Sequence, residues 1–220
     1  MKAYKTNLIL IFLLLGISPW AFSASAEMSS KHLRLVKDLM NNNLAYSQDA
    51  TTTNIIEWEE EIVDSLRQKK DYRNMFLMKQ MAVYAYSLQA KISEALKKAD
   101  AMMDEARLMK YNIGISLSYQ ALGDIYLNAG MRPEAVEEYE KAMKTLQATP
   151  HAEKIQERIF IQLVPTLIKL KRMDEAKAYL EHMSEICESK CLSPFLLYAY
   201  HAYYYLRNND LSKAREYIDE

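Results

Sequence analysis

The chain is poor in the residues that punctuate β structure, with 4 glycines and 5 prolines in 220 residues. A fold of many short strands needs turn chemistry roughly every 8–12 residues, and that supply is missing. Two cysteines are too few for a disulfide-built scaffold. An excess of one charge is missing too: 28 Lys and Arg face 29 Asp and Glu, a formal net charge of −1. Short basic stretches such as Arg67 to Lys70 lie beside Glu59, Glu60, Glu61 and Asp71, so they read as solvated helix faces. Without a basic stripe, a nucleic-acid partner is not expected. The four histidines, His32, His151, His182 and His201, are scattered, and no HExxH, GxSxG, P-loop or GxGxxG pattern occurs. No catalytic residue, cofactor or metal site is assigned. What is abundant is Ala, Leu, Met, Glu and Lys, the good helix formers, and an all-α fold follows.

The first 26 residues read as an address. Lys2 and Lys5 precede an apolar run from Leu8 to Ile17, and Ala24-Ser25-Ala26 supplies a small-x-small cleavage pattern before Glu27. These are the parts of a secretory signal peptide. Ser18 and Pro19 interrupt the run well short of the roughly 20 apolar residues a spanning helix needs. An uncleaved membrane anchor is the rival reading. No segment of the mature part, residues 27–220, is apolar enough to cross a bilayer; even Ile113 to Leu127 carries Gln120 and Asp124. Cleavage leaves 26 basic against 29 acidic residues, and a periplasmic protein is expected.

Apolar residues recur at helical spacing through the mature part. Leu33, Val36, Leu39 and Met40 share one face of a first helix. The polar stretch Gln48 to Asn54, with Thr51-Thr52-Thr53, reads as a loop. Ile55, Trp58, Ile62 and Leu66 align on a second helix, and residues 27–70 are expected to form an N-terminal helical hairpin. After Lys69-Lys70-Asp71 another helix carries Met75, Met78, Ala82, Tyr86 and Gln89, opening a repeat domain over 71–220.

The most specific pattern begins after Ile115. Tyr119-x-x-Leu122-Gly123-x-x-Tyr126 is followed by Gly130, then by Ala135-x-x-x-Tyr139-x-x-Ala142. Residues 116–149 thereby resemble the tetratricopeptide repeat, a helix–turn–helix unit of about 34 residues. Tyrosine stands where that family usually has Trp and Phe, and the closing proline comes late, at Pro150. Small residues at Gly123 and Ala135 permit close helix approach, while Tyr126 and Tyr139 fill the space around it. Related segments, Lys91 to Ala95, Met131 to Ala135, Arg172 to Ala176 and Asp210 to Ala214, look like starts of second helices. Their alanines lie about 40 residues apart, longer than the minimal repeat. The small position falls on Val83, Val164 and Ala202 in the other copies. The resemblance implies a right-handed α-solenoid of about four hairpins that binds a protein or peptide.

By that resemblance, first helices line the binding groove, which places Tyr84, Gln120, Asp124, Asn128, Lys169, Tyr203 and Arg207 on it. The cluster Tyr198-Ala-Tyr200-His-Ala-Tyr203-Tyr204-Tyr205 divides at helical spacing: Tyr198 and Tyr205 register with Tyr119 and Tyr126 as core, and Tyr203 registers with Asp124. Tyr203 serves either as a recognition anchor or as plain packing. Pro165 falls inside a first helix, where it removes one backbone hydrogen bond and favours a bend. Cys187 and Cys191 sit in an inter-hairpin connector; a disulfide is the expected fate in an oxidising compartment, with a redox pair or a metal site near His182 as the weaker readings. Leu211, Ala214 and Ile218 need a covering helix, so the chain is expected to be the N-terminal part of a longer polypeptide. Exported arrays of this size resemble the periplasmic sensory regions of certain bacterial two-component sensor histidine kinases. That comparison implies a membrane segment beyond residue 220 and makes a signalling input the alternative to a binding scaffold. A redox or hydrolytic enzyme is the third reading.

Overall fold

A computed structural model describes residues 48–190 and 194–219. The expected signal peptide, the helix around Leu33 to Met40, and Cys191 lie outside the described residues. Among those described there are nine helices and no strand. They are α1 (Gln48–Gln68), α2 (Tyr72–Leu88), α3 (Ile92–Leu108), α4 (Asn112–Asn128), α5 (Arg132–Leu146), α6 (Glu153–Lys169), α7 (Met173–Lys190), α8 (Pro194–Arg207) and α9 (Leu211–Asp219). The fold class is that of an all-α helical-repeat solenoid.

The predicted second helices begin where the repeated segments place them, at Ile92, Arg132, Met173 and Leu211. Ala95, Ala135, Ala176 and Ala214, each in the first turn of its helix, are all buried. Helices α2, α3 and α4 are each 17 residues long with three residues between them, so each half-repeat occupies 20 residues and the full period is 40. Longer helices, not longer loops, account for the spacing.

One turn design recurs at six helix ends. Lys70, Ala90, Lys110, Gly130, Lys171 and Asn209 adopt positive φ, between 52° and 81°. Each forms a Schellman cap, in which two successive N–H groups satisfy the orphan carbonyls of the last turn. At Gly130, for example, its N–H donates to the Leu127 carbonyl at 3.1 Å and the Met131 N–H donates to Tyr126 at 2.9 Å. The Met131 carbonyl then accepts from Ala135 at 3.0 Å and opens α5. A strained left-handed residue is thus built into nearly every connection, and glycine relieves it once.

Gln48 to Asn54 corrects one sequence expectation. This segment begins α1 and is not a loop. Threonine costs only a few tenths of a kcal/mol in a helix interior, and the buried stripe Ile55, Glu59, Ile62 and Val63 outweighs it.

The described chain divides into two compact units, one ending at Glu105 and the other beginning at Ala106. In the first unit α1 packs on α2 over a core that includes Ile55, Val63, Met75, Phe76 and Val83. Glu105 on α3 accepts from Arg67 of α1 at 2.9 Å and pairs with Lys79 of α2, while Lys98 on α3 pairs with Glu59 of α1. Burial opposes ionisation of Glu105, yet the hydrogen bonds from Lys79 and Arg67 outweigh it and hold the carboxyl below its ordinary value.

In the second unit α4 packs on α5, α6 on α7 and α8 on α9, and the hairpins join through α5 with α6 and α7 with α8. First helices also meet, α4 with α6 and α6 with α8. Ala214 is buried within the last hairpin, whereas Leu211 and Ile218 stand 67% and 62% exposed.

Candidate binding face

The α4–α5 hairpin is held by one interlock. A methyl group placed on Gly123 would lie 2.5 Å from Tyr139 Cε1 and 2.7 Å from Cδ1, so the tyrosine ring occupies the space a side chain would need. Tyr139 is fully buried, and its hydroxyl donates to Asp124 Oδ1 at 2.7 Å. Ser116 on α4 adds a second tie by donating to the Ala142 carbonyl of α5 at 3.0 Å. The same register in neighbouring hairpins holds Val83 with Ala99 and Val164 with Leu180, all buried. Where the first position is glycine the second is tyrosine, and where the first is valine the second is a smaller residue. Residues 117–145 match the tetratricopeptide repeat family. The match spans this interlocked hairpin. Repeats of this kind generally mediate contacts between proteins. No curated protein matches the chain.

The seven residues assigned to the groove all lie on first helices, but the structure gives them different environments. Tyr84, on α2 of the first unit, is half-buried. Asn128, Lys169 and Arg207 are exposed and are the last residues of α4, α6 and α8, helices that pack in succession. Tyr203 on α8 is half-buried. Gln120 and Asp124 are 3% and 4% exposed. Asp124 uses its carboxylate inside the hairpin as the acceptor for Tyr139, and Gln120 Oε1 is buried with no hydrogen-bond partner among the described residues. The sequence offered a signal for Asp124: tyrosine in place of the family's usual phenylalanine brings a buried hydroxyl that requires an acceptor.

The tyrosine cluster forms the joint of the last hairpin. Tyr198 and Tyr205 are half-buried, and both rings meet Tyr217 of α9, at 6.3 Å and 5.6 Å between centroids. Tyr200 reaches out of its own hairpin and donates to the Ile161 carbonyl at 3.1 Å; burial pushes its phenol up to about 12. Pro165 sits inside α6 as expected, and the helix continues beyond it to Lys169. The half-buried carboxyl of Glu157, near the start of α6, is pushed up to about 7 by burial, against an opposing effect of Lys154.

The backbone of α7 runs to Lys190, which places Cys187 in a helix instead of the expected connector. The long amphipathic helix overrides the polar look of Glu188-Ser189-Lys190. The proposed Cys187–Cys191 pairing lies outside the described residues. Among the described residues no group of three or more His, Cys, Asp or Glu is placed to hold a metal ion, and no helix is long and apolar enough to cross a membrane.

Proposed function

We propose that the chain is a non-catalytic scaffold of the bacterial envelope that binds a protein or an extended peptide through the first helices of its second unit. The observation that carries this reading is the arrangement of Asn128, Lys169 and Arg207. Exposed polar and basic side chains end three successively packed first helices, in a unit that contains the tetratricopeptide match. Tyr203, one turn before Arg207, adds an amphipathic anchor of the type that dominates many interfaces. Two cations beside hydrogen-bonding groups suit a partner segment that carries carboxylates and exposed backbone amides. Lys2, Lys5, the Leu8 to Ile17 run and Ala24-Ser25-Ala26 support export to that compartment.

Photo-crosslinking in intact cells tests the reading. Crosslinkers at Asn128 and Arg207 are expected to capture the same protein, whereas crosslinkers at the exposed second-helix residues Lys144 and Ala178 capture little of it. Equal capture from all four positions, or preferential capture from Lys144 and Ala178, overturns the assignment of the face.

A further inference from the structure

We infer that Tyr200 is a positioning residue of the binding face: its hydroxyl braces the turn of α6 that Pro165 weakens, and so sets Lys169 against Tyr203 and Arg207. Pro165 has no N–H to offer the Ile161 carbonyl, and its ring crowds the same turn. Thr166 Oγ1 donates to the Gln162 carbonyl at 2.6 Å, a back-bond that also favours bending. Ile161, Gln162 and Pro165 are half-buried, so water can reach this turn. A carbonyl without its helical donor tilts toward water, and the helix opens and swings there. Tyr200 opposes that motion by donating to the Ile161 carbonyl at 3.1 Å from the neighbouring first helix.

The brace acts on both helices. On α6, Lys169 lies beyond the proline, in the part that a swing moves. On α8, which has no proline after Pro194, Tyr203 and Arg207 follow Tyr200 on the same face by about one and two turns. Holding Tyr200 on Ile161 therefore sets where those two residues stand relative to Lys169. Elsewhere α8 is tied to α7 through His201 Nε2 and Ser184 Oγ, 3.2 Å apart, and to α9 through the stack of His201 on Tyr217, with centroids 4.6 Å apart. Those contacts hold the last hairpin together, and the Tyr200 bond is the one that reaches the weakened turn.

The role in binding rests on the reading proposed above; the joint itself is measured without a partner. Nitroxides are carried on ketone-bearing residues at positions 169 and 207 of the full chain, which leaves Cys187 and Cys191 untouched, and their separation is read by double electron–electron resonance. Kinks at proline exceed about 20°, and a swing of that size moves a label at position 169, roughly 10 Å beyond the turn, by about 3 Å. Tyr200→Phe is expected to shift or widen the native distribution by about that amount, while a label pair at 128 and 144, within one hairpin, is unchanged. In Pro165→Ala, whose restored N–H serves the Ile161 carbonyl, adding Tyr200→Phe changes nothing. A native distribution in Tyr200→Phe, or an equal change in both backgrounds, overturns the joint. If Tyr200→Phe does not fold, the Pro165→Ala background decides. A double variant that folds with the Pro165→Ala distribution supports the joint, and one that fails to fold or differs overturns it. In intact cells Tyr200→Phe is expected to lower capture from a crosslinker at 207 several-fold relative to one at 128. An unchanged ratio overturns the role in binding. Loss of capture from both positions in the native chain removes the binding reading and leaves the distance result to decide the joint.

Discussion

The hydroxyl of Tyr200 donates to the carbonyl oxygen of Ile161 at 3.1 Å, across the boundary between two hairpins. Ile161 lies four residues before Pro165, so its carbonyl is the one that loses its helical partner to the proline ring. A tyrosine from the next first helix supplies the missing donor. Tyr200→Phe should therefore cost about 1–2 kcal/mol by leaving that carbonyl unsatisfied. In a Pro165→Ala background the restored N–H takes the carbonyl back, and the same substitution should cost clearly less. Urea unfolding of the four proteins measures the difference. Equal costs in both backgrounds would show that the two residues are not coupled.

Gln120 holds a buried carbonyl oxygen with no partner among the described residues. Replacing it with methionine, of similar volume and flexibility, should leave stability unchanged or raise it by up to about 1 kcal/mol. A loss above about 1 kcal/mol would mean that the amide makes contacts this account lacks.

Two equivalent turns should respond in opposite directions. Ala90 and Gly130 occupy the same place between first and second helices, at φ 58° and 81°. Nothing lies within 4 Å of a methyl placed on Gly130, so the backbone alone decides there. Ala90→Gly should stabilise and Gly130→Ala destabilise, each by about 0.5–1 kcal/mol, after the greater freedom of unfolded glycine is set against the strain. Thermal unfolding checks the signs.

Glu157 links stability to pH. Its folded carboxyl is raised from 4.5 to about 7, so the folded state favours the protonated form. That contribution is complete below the ordinary value and is lost as pH rises through about 7. Glu157→Gln should match the native protein near pH 4 and exceed it near pH 8 by about 1 kcal/mol, a figure reduced for partial exposure. The readout is the urea midpoint at the two pH values, and a variant less stable at the higher pH contradicts the assignment.

Much of the fold is legible in residue size and spacing. Alanine recurs at the start of each second helix because its backbone must pass close to the first, and that need survives where the rest of the motif fades. The turns are harder to read: lysine or alanine stands where left-handed φ would suggest glycine, and the strain is absorbed by caps that the sequence does not display. The Thr51 to Thr53 run misleads because a buried stripe further along α1 decides its fate. The family resemblance puts Asp124 and Gln120 on the groove, while their burial depends on how neighbouring helices stack. The Tyr200–Ile161 and Ser184–His201 contacts join different hairpins, and no periodicity within one hairpin reports them.

The interlock of Gly123 with Tyr139 is the point on which the hairpin architecture turns, and a double-mutant cycle on urea-unfolding free energies tests it most directly. Gly123→Val should cost about 2–3 kcal/mol by driving a side chain into the Tyr139 ring. Tyr139→Leu should cost a comparable amount through lost packing and the lost hydrogen bond to Asp124. The double variant recreates the Val164 and Leu180 combination of the next hairpin and should recover at least about 1 kcal/mol of the summed loss. Strictly additive costs, or a Gly123→Val protein as stable as the native one, would contradict the account.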